Sequence, residues 1–241
     1  MNPYFLLFIR FFMWEDISNS QSGRNFRGEI FDFWKDLSII VIIVLIVRTF
    51  FILPFQISGQ SMYDSYYDRE FIIVDRFSYL TFSEPKRWDV VVFNTHIDGK
   101  EYFIKRVIWL PGETLKIQSG SVFVKAVWSE DFVELDETYL SDTNYKSTYV
   151  RWDDWENIYE VPEWGYFVLW DNRNASTDSR ACFSSCEFSD KSNYIKKKDI
   201  TGRVFLDLGY FNFKTFSFTN PNLWIDTKPK WFSSPSHFEY K

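Results

Sequence analysis

Histidine is almost missing from this 241-residue chain: His96 and His237 are its only two, and neither stands in a motif. A Ser-His-Asp triad therefore has little to build on. Cysteine is equally scarce, with Cys182 and Cys186 alone in a C-x3-C pair, too few without nearby histidines for a structural zinc site. Glycine stands at 9 of 241, about 4%, below the roughly 7% of average usage, whereas tryptophan, at 11, is abundant. There is no excess of positive charge either: the net charge of −6 and pI near 5.1 leave no basic footprint for nucleic acid. The length allows one globular domain with a sizeable core, plus appendages.

One long apolar run is present. From Leu37 to Phe55 the chain reads LSIIVIIVLIVRTFFILPF, 19 residues charged only at Arg48. As a helix this would extend roughly 28 Å, close to the hydrocarbon thickness of a bilayer. Its all-round apolarity argues against a buried core helix, so a single transmembrane helix is expected over 37–55, with Arg48 snorkelling to the nearer interface. The twenty residues before the run carry Arg24, Arg27 and Lys35, and the twenty after it only Arg69. That asymmetry places segment 1–36 in the cytoplasm and the bulk of the chain outside. Residues 1–14 are apolar too, but short, interrupted by Arg10 and not followed by a small-x-small cleavage site. They read as an interfacial helix, or as an upstream extension if translation starts at Met13.

After the apolar run the period changes. Residues 71–74, 89–93, 103–108, 114–118, 121–127 and 166–169 are short β-branched or aromatic stretches, most of them punctuated by Gly, Pro, Asn or Asp. A mainly β, extracytoplasmic domain is expected over 56–210, with an aromatic and acidic insertion at 128–162. Residues 211–241 form a tail without clear period, and no internal repeat is found.

Three short segments carry chemistry: Ser58-Gly59-Gln60-Ser61-Met62, Lys105-Arg106-Val107-Ile108-Trp109-Leu110-Pro111-Gly112-Glu113, and Trp170 through Arg180. A serine hydroxyl is a poor nucleophile until a base takes its proton. Lysine can be that base when burial in apolar surroundings keeps its amine neutral, and Lys105 has Phe103, Ile104, Val107 and Ile108 around it. Taken singly, Ser-x-x-Ser-Met is mostly a turn and Lys-Arg at a strand edge mostly a solvated pair. Together, in this order and behind one apolar run, the three segments resemble the boxes of bacterial type I signal peptidase, the leader peptidases of the S26 serine peptidases.

The resemblance spans roughly 37–127 and 160–205. It implies a signal-peptidase-like antiparallel β domain behind a membrane anchor. Ser61 would be the nucleophile, Lys105 the general base and Ser176 the hydroxyl that orients the lysine, with the Ser61 N–H donating to the oxyanion. Some members add a hydroxyl two residues before the nucleophile; here Gly59 stands there. Phe55, Ile57, Met62, Phe103 and Ile104 match substrate-pocket positions, while Arg106, Asp171, Arg173, Asp178 and Arg180 would brace the site through ion pairs. The implied partners are exported preproteins, through their signal peptides, and the lipid bilayer; no nucleic acid, metal or cofactor is called for. The setting is the cell membrane, single-pass, with the catalytic domain outside. On that side Cys182 and Cys186 are either a small-loop disulfide or two free thiols. Two rivals remain: a self-cleaving repressor of the same Ser-Lys fold, disfavoured because such proteins are soluble and carry a DNA-binding domain, and a catalytically impaired membrane-anchored relative that only binds signal peptides.

The chain also departs from the resembled pattern. Tyr63-Asp64-Ser65 replaces x-Pro-Thr, which should loosen the turn behind the nucleophile. Trp88, Trp109, Trp164 and Trp170 each stand where the boxes have glycine, a residue used for positive φ or close backbone approach. Either the protein is a degenerate relative, or its gene reads UGA as glycine and the four tryptophans are a translation with the wrong table. Intact Ser61, Lys105 and Ser176 favour recoding, since a decaying enzyme should lose these as readily. All four codons are expected to be UGA, and a version with glycine at the four sites should cleave preproteins; UGG at these positions, read in the gene, refutes recoding.

Overall fold

The computed structural model describes residues 26–78, 83–94, 102–150, 157–174, 178–184, 193–212, 214–218 and 230–231, without the side chains of 26, 27, 48, 50, 182, 184, 218, 230 and 231. The chain divides into two units, Met1–Ile46 and Val47–Lys241. In the first, helix α1 (Phe26–Ile46) holds Lys35 against Asp32 at 3.1 Å, one turn apart, and its aliphatic residues from Ile39 to Ile46 face solvent.

Among the described residues no helix is long and apolar enough to cross a membrane. The reason lies in the partition of the apolar run. Glu29, Asp32, Lys35 and Asp36 occupy the first half of α1, the chain turns through a short π-helix at Val47–Phe51, and Ile52 already opens a strand. The expected helix over 37–55 is therefore corrected at its far end: residues 52–55 are extended, and Leu53 and Phe55 pack against the core of the β domain.

The second unit is mainly antiparallel β. Its strands are β1 (Ile52–Gln56), β2 (Phe71–Asp75), β3 (Val90–Asn94), β4 (Tyr102–Trp109), β5 (Thr114–Gln118), β6 (Ser121–Lys125), β7 (Val133–Glu134), β8 (Asn157–Glu160), β9 (Gly165–Leu169), β10 (Ile195–Lys196), β11 (Ile200–Gly209), β12 (Phe211–Asn212), β13 (Ser217–Phe218) and β14 (Lys230–Trp231). Among the described residues, one sheet runs β1-β2-β11-β3-β4-β9-β10 with β14 also on β11; a second runs β7-β6-β5-β8, and β12-β13 form a hairpin. The six runs read as strands from the sequence correspond to β2, β3, β4, β5, β6 and β9, each within a residue or two of its ends.

Alternation explains how these strands bury. In β5 and β6, Leu115, Ile117, Val122 and Val124 point inward while Lys116 and Phe123 sit across from one another on the other face. That inner face packs with Ile108, Trp109, Leu135, Phe167 and Leu169. A second cluster joins Ile57, Met62, Tyr66, Ile72, Val74, Val90, Val92 and Val204; a third joins Val91, Phe93, Val107, Val168, Ile195 and Ile200. Strand β4 touches all three, through Ile108 and Trp109, Ile104, and Val107. It is the element best placed to hold a reactive side chain still.

The region 128–162 is more than an insertion, because β7 and β8 complete the second sheet on either side of β6 and β5. The tail also has structure: the hairpin of β12 and β13 follows β11 directly, and β14 returns to pair Leu206 with Trp231.

Candidate active site

Lys105 occupies the middle of β4, opposite Val91 of β3, with Arg106 opposite Leu169 of β9. Strand alternation sets it beside Phe103 and Val107 rather than with Arg106, so the two adjacent cations go to different environments. Lys105 is 1% exposed. Its Nζ donates to the Ile104 carbonyl at 2.8 Å, 4.1 Å from the centre of the Trp170 ring and 5.1 Å from that of Phe103. Burial pulls its pKa down from 10.5 to about 7, against the opposing pull of Asp178 and Asp171.

Ser61 arrives from a different part of the sheet. Between β1 and β2 the chain makes a turn-rich loop clamped at its neck by Ile57 N–H to Glu70 O and Arg69 N–H to Ile57 O, both 2.9 Å. Gly59 adopts φ +98°, and its N–H donates to Asp68 Oδ1 at 2.7 Å. A side chain at 59 would strain this backbone, which gives the missing second hydroxyl a local cause. The Ser61 carbonyl accepts the Asn172 N–H at 3.0 Å, and the Gln60 carbonyl accepts the Asn172 amide at 3.1 Å. The first and third sequence segments are thus tied together by hydrogen bonds. Among the described residues the Ser61 N–H and hydroxyl have no partner, so the Oγ–Nζ hydrogen bond is not made in this conformation.

Ser61, Lys105 and Trp170 line one cavity of about 400 Å³, walled by Phe55, Ile57, Ile72, Val92, Phe103 and Ile104, with Gln56 and Tyr102 at its margin. Of the expected pocket residues, Phe55, Ile57, Phe103 and Ile104 are there and Met62 is not. Met62 is completely buried among Ile57, Tyr66 and Ile72, because the turn after Ser61 drives it into the core. Ser176, His96, His237 and Cys186 lie outside the described residues, as does the side chain of Cys182.

The bracing ions sort into three buried pairs. Arg106 grips Asp171 with Nε at 2.8 Å and Nη2 at 2.6 Å, donates to the Trp88 carbonyl at 3.0 Å and lies 4.1 Å from the Tyr139 ring centre. Burial opposes its charge, but Asp171 more than offsets that and holds its pKa above the ordinary range. Arg180 grips Asp178 with Nε and Nη2, both at 2.9 Å. Arg173 pairs instead with Glu137 and donates to Thr148 Oγ1 at 2.5 Å and Tyr139 Oη at 2.8 Å. Glu137, Tyr139 and Thr148 were not singled out from the sequence; nothing local marks them, since the partner of Arg173 is 36 residues away. Asp64, expected to loosen the turn behind Ser61, accepts from the Ser141 hydroxyl and from Asn144 at 3.3 Å, so that turn is tethered.

The four tryptophans differ in setting. Trp88 has φ +72° at the third position of a turn closed by Asp89 N–H to Lys86 O at 3.1 Å, a place that favours glycine. Trp109 has ordinary backbone and buries its ring against Phe167, its indole N–H donating to Phe123 O at 3.0 Å. Trp164 is exposed, with its ring edge toward Tyr194. Trp170 faces the lysine.

A family model described as signal peptidase, peptidase S26, matches residues 30–208. The chain is 32% identical over 177 residues to signal peptidase I P of Bacillus subtilis subsp. natto, covering 73% of this chain and 87% of that one. It is 29% identical to signal peptidase I of Pseudomonas fluorescens over 72% of this chain and 70% of that one. A solved signal peptidase I from Enterococcus faecalis V583 aligns with 52% of this chain and 99% of its own at 25% identity and a TM-score of 0.37.

The buried amine has a measurable consequence. The folded pKa lies below the unfolded one, so between about 7 and 10.5 the unfolded chain binds more protons and stability rises with pH. Below about pH 7 the amine is protonated in both states, and the full cost of burying the charge is present. Lys105→Met should therefore be more stable than the parent at pH 6, by about 2–5 kcal/mol, with the gap closing toward pH 10. Urea unfolding of both proteins in detergent across this range checks it; a gap independent of pH contradicts the lowered pKa.

Proposed function

Because this chain belongs to the signal peptidase family, peptidase S26, a family of serine endopeptidases that remove signal peptides, we propose that Ser61 and Lys105 form its catalytic dyad and that it acts as a membrane-attached enzyme. The observation that carries the proposal is the juxtaposition, in one apolar-walled cavity, of a serine and a buried lysine whose pKa falls to about 7. At that value a large share of the amine is neutral at physiological pH and can accept a proton.

The steps follow from these groups. Ser61 Oγ attacks the carbonyl carbon of the scissile bond as its proton passes to the Lys105 amine. The oxyanion takes the Ser61 N–H, which has no other partner among the described residues. Collapse of the tetrahedral intermediate breaks the C–N bond, and the Lys105 ammonium gives its proton to the departing amine of the mature protein. Water, deprotonated by the again neutral Lys105, then hydrolyses the acyl-Ser61 ester and releases the signal peptide. The peptide would lie extended along the cavity walls of Phe55, Ile57, Phe103 and Ile104, whose apolar character suits the small apolar side chains flanking the bond. Ser176 as orienting hydroxyl remains part of the proposal. Membrane attachment is assigned to the apolar residues of the run that precede the strand opening at Ile52, with the N-terminal segment cytoplasmic.

Ser61→Ala and Lys105→Ala should each abolish cleavage of a preprotein in detergent, and Lys105→Arg should fail too because guanidinium stays protonated. Losing either residue should cost as much as losing both. Turnover by either alanine variant overturns the dyad. A parent that binds a signal peptide with micromolar affinity or better yet never cleaves it would mark the impaired binding relative instead.

Protease added outside spheroplasts should digest the domain beyond residue 56 and leave a small N-terminal fragment. A domain protected until the membrane is breached would reverse the orientation.

A further inference from the structure

Two hydrogen-bonded ties meet at the turn that carries Ser61, and only one of them touches Ser61 itself. Asn172 makes the first, its backbone N–H donating to the Ser61 carbonyl at 3.0 Å and its side-chain amide to the Gln60 carbonyl at 3.1 Å. The second runs through Asn144, which is 4% exposed. Its amide N–H donates to Asp64 Oδ2 at 3.3 Å, downstream of Ser61, and its Oδ1 accepts the Arg173 N–H at 2.8 Å. The orientation of that amide is fixed by its partners, because a carboxylate accepts and a backbone N–H donates. Resting on the reading of Ser61 as the nucleophile, we propose that Asn144 and Asp64 are positioning residues for catalysis: together they clamp the turn after Ser61 to the loop after β9 and so hold the Ser61 hydroxyl and N–H in their working orientation.

The backbone of this turn shows why a clamp is needed. Asp64 stands where the family's boxes have proline, whose ring would stiffen the chain at a φ near −65°. Here φ at Asp64 is +77°, a value closed to proline and uncommon outside glycine, asparagine and aspartate. Proline cannot make this backbone rigid, and partners outside the turn do so instead. Within it, the Ser65 and Tyr66 N–H groups both donate to the Met62 carbonyl, at 3.0 and 2.8 Å, so Ser61 and Asp64 move as one body. Asn172 alone would let that body swing about its tie; Asp64, held from the other side, stops the swing. Ser141 reinforces the clamp, its hydroxyl donating to Asp64 and its carbonyl accepting the Asn144 N–H at 2.9 Å. Both ties end on neighbouring residues, Asn172 and Arg173, in the loop that follows β9, and β9 pairs with the strand that carries Lys105. The nucleophile is thus referred to the base through hydrogen bonds. None of these bonds uses the side chain of Trp88, Trp109, Trp164 or Trp170, so glycine at those positions removes none of them.

The test separates orientation from binding and from folding. In the full chain in detergent micelles, with positions 88, 109, 164 and 170 as the gene encodes them, Asp64→Ala should lower kcat for preprotein cleavage by about 10–100-fold and leave KM within about threefold, because the peptide lies along walls such as Phe55 and Phe103 that the clamp does not touch. The acid limb of kcat/KM should stay in place, since the charged groups acting on Lys105 are Asp178 and Asp171 and not Asp64. Asn144→Asp sets two carboxylates face to face and should cost at least as much. Adding Asp64→Asn to it reverses donor and acceptor, and should return kcat to within about threefold of the parent. Should Asp64→Ala fail to fold, as read by circular dichroism at the assay temperature, this reciprocal pair keeps the test decisive. An unchanged kcat in a folded Asp64→Ala, a loss confined to KM, or a folded reciprocal pair that stays about tenfold or more below the parent overturns the clamp. Ser61→Ala, assayed alongside, separates this from the dyad: turnover by that variant removes the nucleophile, whereas an inactive Ser61→Ala beside a fully active Asp64→Ala overturns the clamp alone.

Discussion

The burial of one amine at the centre of β4 constrains the rest of the site. A buried lysine loses much of its preference for the charged form, which is the condition the proposed role as a base near neutral pH requires. Phe55, Ile57, Phe103 and Ile104 wall the cavity that Lys105 lines, the same cavity proposed to take the peptide. In the proposed function one set of side chains serves both the chemistry and the fit. The cost is borne by stability, since below neutral pH the fold must hold a charge it barely solvates.

Buried ion pairs hold the loop that follows β9. Asp171 and Asp178 follow β9 in the same loop, and each is paired with its own arginine, Asp171 with Arg106 and Asp178 with Arg180. Both carboxylates act against the burial that lowers the Lys105 pKa. Arg173 extends the network to Glu137, Tyr139 and Thr148, which ties the loop after β9 to the second sheet. Removing one member of such a buried pair leaves an uncompensated charge.

Much of the site was legible because it is written in short local segments. Ser61, Lys105 and Trp170 sit in three such segments, and β-branched runs such as Ile72 to Val74 and Val90 to Val92 mark strands by composition alone. Other parts were not. Strand β11 reads ITGRVFLDLG, where Gly202, Arg203 and Asp207 interrupt the apolar signal that its pairing with β2 and β3 overrides. Strand β1 was hidden at the end of an apolar run whose earlier part is helical, and no periodicity separates the two. Glu137 and Tyr139 acquire their roles only through sheet pairing that brings a distant segment onto Arg173 and Arg106. Met62 shows the limit of motif reading: the resemblance matched it to a pocket position, and the turn after Ser61 buries it in the core.

The account stands or falls on Lys105 activating Ser61. The most direct test is covalent capture with a serine-directed acylating electrophile, followed by mass spectrometry of the labelled site. The adduct should form on Ser61, at a rate that rises through a single ionisation near pH 7 and vanishes in Lys105→Ala. Labelling at another residue, or at Ser61 with a rate indifferent to Lys105, would contradict it.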